Sequence, residues 1–150
     1  MKVIAALLIV LSLLIGIVPQ FTDCQAQGRE LTLANGRNIP MKCHWTARAE
    51  LGTALPILGV GVLLFAAKRK ETLRALGVVG ALLGILVILL PTVLIGVCGS
   101  PDMICNAFMD PFLVLSGSLV IVLSLVVAVR GLTMKASVEP ATVVEQEVAG

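Results

Sequence analysis

The chain has 150 residues, of which 58% are hydrophobic, 13% charged and 3% aromatic, and its net charge is +2. With a mean hydropathy of +1.05 it is far more apolar than a soluble domain, and a bilayer is the solvent that suits it. This balance excludes a nucleic-acid-binding surface, and the polar stretches are too short to form a separate soluble domain.

Four apolar runs, Val3–Val18, Leu51–Ala67, Ala75–Val97 and Phe112–Val129, each approach the roughly 20 residues that cross about 30 Å of hydrocarbon. They predict an all-α membrane protein, a four-helix bundle with spans at about 3–19, 47–67, 74–97 and 111–130. The first run has Lys2 before it and Cys24-Gln25-Ala26 after it, the outline of a secretory signal. Its apolar core is long for a signal, and cleavage after Ala26 would leave an odd number of cysteines. It is therefore read as a retained span. Lys2, Lys68, Arg69, Lys70, Arg74, Arg130 and Lys135 fall on one side of this map, and Arg29, Arg37, Lys42 and Arg48 on the other. The positive-inside rule then makes both termini cytoplasmic, with outer loops at 20–46 and 98–110. Phe21, Trp45, Phe65, Phe108 and Phe112 lie at the predicted span ends, where aromatic rings bridge hydrocarbon and headgroups.

In the first outer loop, "RELTLANGRNIPM" alternates Leu31 and Leu33 with polar residues before Asn35-Gly36. This predicts a short β-hairpin over about Glu30–Met41 with a type I′ turn. An isolated hairpin is marginal in water, so it should need a staple or a surface to rest on. Next comes "IPMKCHWTARAE": Trp45 reads as a headgroup anchor, Thr46 as the N-cap of the second helix, and Glu50 as an acid about one turn inside it. It reads either as a first-turn carboxylate favoured by the helix dipole or as an acid that points into the bundle and pairs with Arg48, His44 or a backbone donor. The second and third helices carry Pro56 and Pro91, and Gly80 and Gly84 have the spacing that lets helix backbones approach. The residues 1–131 form the transmembrane domain in this reading, and 132–150 a disordered cytoplasmic tail.

Cys24, Cys43, Cys98 and Cys105 are all the cysteines, and the topology puts each at the outer face. An even number on the oxidising side suggests disulfides. The simplest pairing is within loops, Cys24 with Cys43 and Cys98 with Cys105, each worth about 2–3 kcal/mol by chain entropy. The connectivity stays open, and so do two other readings. Four spans with two cysteines in each outer loop share the architecture of membrane oxidoreductases of the disulfide-bond-formation type. The Cys-x-x-Cys of those enzymes is missing here, although Lys42 and His44 flank Cys43. Alternatively Met41, Cys43, His44, Met103, Cys105 and Met109 are soft or borderline ligands of the kind that hold Cu(I). Both outer loops carry a proline before Met-x-Cys, in "PMKC" and "PDMIC", an echo that would bring the two segments together in a pseudo-twofold bundle. Haem attachment is disfavoured, because His44 is the only histidine and no Cys-x-x-Cys-His occurs.

"MKCHWTARAELG" and "CGSPDMICNAFMDP" together resemble a domain-of-unknown-function family of small prokaryotic four-helix membrane proteins, over nearly the whole chain except the tail. The resemblance implies a bacterial or archaeal cell membrane and a companion role beside ABC transporters of the macrolide-export and lipoprotein-release type. It supplies no catalytic residues. With no phosphate loop, catalytic carboxylate pair or nucleophile elbow in the sequence, the chain reads as non-enzymatic and without a cofactor. It is expected to be an accessory or interaction subunit, an ABC permease being one candidate partner. The alternative is an outer-surface thiol-redox or copper-binding protein.

Overall fold

The computed structural model describes residues 1–100 and 102–133. The expected tail lies almost wholly outside the described residues. Among the described residues, four helices are long and apolar enough to cross a membrane: α1 (Lys2–Thr22), α2 (Lys42–Ala66), α3 (Lys70–Leu89) and α4 (Asp110–Thr133). Each buries one stripe at helical spacing. In α2 it runs through Cys43, Ala47, Glu50, Ala54, Ile57 and Leu64, while large apolar side chains such as Leu55, Leu82 and Leu115 face outward. An outward apolar face suits lipid, which supplies no hydrophobic force between helices. Close backbone packing must hold them instead.

The helices pair in sequence: α1 packs chiefly on α2 and α3 chiefly on α4, with thinner contact between the pairs. Glycine makes the second seam. A Cβ added to Gly84 would lie 3.0 Å from the Gly117 carbonyl oxygen, one on Gly117 would lie 3.0 Å from that of Gly84, and one on Gly77 would lie 2.7 Å from the Ala128 nitrogen. The Gly80 and Gly84 spacing thus serves packing within the chain.

Proline shapes the ends of α3 and α4. Pro91 lies in a wide π-turn, Leu90–Leu94, that continues α3, and a second π-turn, Cys105–Met109, precedes Asp110 and Pro111 at the start of α4. A proline ring collides with the carbonyl four residues earlier in an α-helix, and a wider turn separates them. After the first π-turn the chain stops at Gly96, whose φ of 81° suits glycine alone among ordinary residues, and whose N–H donates to the Leu90 carbonyl at 3.1 Å.

The hairpin forms within the expected segment but differs in its turn. Strands β1 (Leu31–Thr32) and β2 (Asn38–Ile39) pair antiparallel, Leu31 opposite Ile39 and Thr32 opposite Asn38. The Gly36 N–H donates to the Leu33 carbonyl, the Leu33 N–H donates to the Arg37 carbonyl, and Gly36 has a φ of 75°. This is a three-residue loop with a left-handed glycine in place of the two-residue type I′ turn. Its strands are exposed on both faces, and the second loop gives them no bed.

Candidate functional site

One end of the bundle collects the C-terminus of α1, the N-terminus of α2, the segment after α3 and the π-turn before α4. Each delivers one cysteine. The sulfurs of Cys24, Cys43, Cys98 and Cys105 all lie within 4.8 Å of one another. Cys24 Sγ is 3.3 Å from Cys105 Sγ and 3.5 Å from Cys98 Sγ, and Cys98 Sγ is 3.4 Å from Cys43 Sγ. Cys24, Cys43 and Cys105 are buried, and Cys98 is partly open. The expected Cys24–Cys43 and Cys98–Cys105 staples are not formed: all four are free thiols. The nearest sulfur contacts instead run from the α1–α2 pair to the α3–α4 pair. The close segments anticipated from the Met-x-Cys echo do meet, with Cys43 and Cys105 in one cluster. Met41 Sδ adds a fifth sulfur 3.9 Å from Cys98.

A small polar frame fixes the cluster. Asp23, next to Cys24, accepts at Oδ2 from His44 Nδ1, next to Cys43, at 2.9 Å. The other oxygen of Asp23 accepts from the Ala26 N–H at 2.7 Å. One turn into α2, the Thr46 hydroxyl donates to the Gly96 carbonyl at 2.8 Å and so ties the α2 start to the segment that carries Cys98. Gln20 donates to the Ala47 carbonyl at 2.7 Å. Thr46 is therefore no N-cap: α2 begins at Lys42 with Met41 as N-cap, and the hydroxyl serves the bundle instead.

The sulfurs differ in their surroundings. Burial pushes the Cys24 thiol far up, and the neighbouring sulfurs of Cys43, Cys105 and Cys98 push the same way. Burial also acts to raise Cys98, but the neighbouring sulfurs of Cys43, Cys24 and Cys105 outweigh it and hold this thiol below its ordinary value.

The copper ligand set suggested by the sequence is only partly assembled. Among the described residues, one group of three or more His, Cys, Asp or Glu ligands converges, and it holds the four cysteines without His44 or Glu50. His44 is engaged with Asp23. Met103 packs partly buried against the core, and Met109 is fully buried. Glu50 sits in α2 fully buried, its Oε2 accepting from the Thr53 hydroxyl at 3.1 Å. Oε1 has no partner, and neither Arg48 nor His44 is the expected mate. Sequence reasoning missed Asp23. The signal was there, in an acid beside one cysteine and the single histidine beside another.

No curated protein and no solved structure matches the chain. A family model described as a domain of unknown function (DUF4418) matches residues 3–130, and the chain belongs to that family.

Proposed function

We propose that the protein is a multi-pass protein of a prokaryotic cell membrane whose outer end carries a four-thiolate site for a soft or borderline metal ion. The observation that carries this reading is the meeting of four sulfurs from four separate segments within 4.8 Å of one another. A tetrahedral ion with metal–sulfur bonds of about 2.3 Å needs sulfurs about 3.8 Å apart. The 3.3–3.5 Å contacts therefore require only a small expansion. Thiolate ligands select Zn(II) and Cu(I) over hard cations. The outer location follows from the positive-inside rule, since Lys68, Arg69, Lys70, Arg74 and Arg130 belong to the opposite end of the helices. The accessory-subunit reading, with an ABC permease as partner, draws on the sequence resemblance and is compatible with such a site.

The test is to purify the full chain in detergent under reductant and load it with Zn(II) or Cu(I). Bound metal per chain is then measured by elemental analysis. One equivalent is expected, with affinity reduced at least about tenfold in each single Cys→Ser variant. A chain with four titratable thiols that retains neither metal would overturn the reading.

A further inference from the structure

Sulfurs this close at an oxidising surface have a second chemistry open to them, and the geometry selects its product. Four cysteines allow three ways to form two bridges. The two shortest sulfur–sulfur hydrogen bonds together make one of them: Cys24 with Cys105 at 3.3 Å and Cys43 with Cys98 at 3.4 Å. The pairing Cys24–Cys98 with Cys43–Cys105 has one such contact, at 3.5 Å. The within-loop partners lie within 4.8 Å of each other, but none of the three short contacts joins them. Cys24 and Cys43 belong to the first helix pair, and Cys98 and Cys105 to the second.

We propose that the four thiols form a redox latch, which a peroxide closes as Cys24–Cys105 and Cys43–Cys98 bridges, each joining one helix pair to the other. The proposal rests on the reading of the four cysteines as one site and specifies how that site is regulated. Cys98 is the entry point, since it is the one sulfur of the four that is not buried. Its sulfur attacks the O–O bond of hydrogen peroxide, giving a sulfenic acid and one water. Cys43 then displaces the hydroxyl as a second water and forms the bridge. Exchange then passes this bridge inward, Cys24 displacing Cys43 from Cys98 and Cys105 displacing Cys98 from Cys24, and the freed Cys98 reacts with a second peroxide and closes again with Cys43. In total four thiols lose four protons and four electrons, and two peroxides become four waters. A bridged sulfur is no longer a thiolate ligand, so the closed latch and the loaded metal site exclude each other.

The connection between α2 and α3 is exposed at Lys68 and Arg69 and can accept an inserted protease site. The full chain carrying that site, freed of metal in detergent, is treated with hydrogen peroxide, cleaved, and run on denaturing gels. One band without reductant that splits into two with reductant is expected. Two bands without reductant, or a band of two linked chains, would overturn the proposal. Peptide mapping of the oxidised unmodified chain is the second measurement. It should recover Cys24–Cys105 and Cys43–Cys98, and either other pairing defeats the assignment. Because the protein is metal-free throughout, failure of the latch leaves metal loading to be judged by its own assay, and a chain that holds no metal can still close the latch.

Discussion

Helices α1 and α2 are tied together near the cysteine end by side-chain hydrogen bonds and approach closely at Gly61, whereas α3 and α4 meet along their length through four glycines. In the first pair Asp23 meets His44 and Gln20 meets the Ala47 carbonyl. In the second, Gly77, Gly84, Gly117 and Gly131 leave no space for a Cβ. The glycine seam depends on shape over many contacts, so it tolerates no added atom. The polar ties depend on a few groups, so each can be removed at a bounded cost. Between the pairs the contact is thinner, which leaves the cysteines and the Thr46–Gly96 bond as specific connections at that end.

The largest effect should come from breaking the glycine seam. Gly84→Leu would drive a side chain into the Gly117 carbonyl, with destabilisation of about 3 kcal/mol or more expected from overpacking. Loss of the monodisperse peak in detergent size-exclusion chromatography would show it, and an unchanged peak would refute the seam. Asp23→Ala, in the other pair, leaves the buried side of His44 unpaired and should cost about 1–3 kcal/mol. Cys24 and Cys43 should then alkylate faster; unchanged protection would mean that the pair does not fix the cluster. Thr46→Val tests the bond between the pairs. A loss of about 1 kcal/mol is expected, with weaker metal retention but an intact α3–α4 seam, as read by detergent unfolding and elemental analysis.

The smallest effect serves as the control. Gly52, in α2, has open space around an added Cβ, and Gly52→Ala should stabilise α2 by about 0.5–1 kcal/mol or leave the unfolding midpoint in place. A fall in the midpoint would contradict the open space around Gly52. Within the cluster, the depressed thiol of Cys98 keeps its thiolate to lower pH than an ordinary cysteine. As pH rises from acidic values Cys98 should be the first to react with iodoacetamide, and Cys24, whose thiol is raised, the last. The reverse order in a mass-spectrometric time course would contradict the stated surroundings of the two sulfurs.

Hydropathy made the four helices legible because span length and composition are dictated by the bilayer. Gly80 and Gly84 were legible for the same reason, since small residues at four-residue spacing are what close packing in lipid requires. The start of α2 was misread. Thr46 has the chemistry of an N-cap, but its hydroxyl found the Gly96 carbonyl, fifty residues away in sequence, and no local rule weighs a partner that distant. The cysteines were recognised as a group and their Met-x-Cys segments as neighbours. Their sequence pairing went within loops because chain proximity was the only distance available, whereas the fold brings sulfurs together across the two helix pairs. The inward reading of Glu50 agrees with its burial, but its partner turned out to be Thr53, three residues on along the same helix face.

The two π-turns have a consequence for the way the chain tolerates length. A π-turn holds one residue more than an α-turn, and each residue of an α-helix advances the phase by about 100°. Deleting a single residue from Leu90–Leu94 or Cys105–Met109 would restore ordinary helical phase and swing Cys98 or Cys105 by about that angle away from its neighbours. In these two short segments the count of residues, more than their identity, aims the sulfurs.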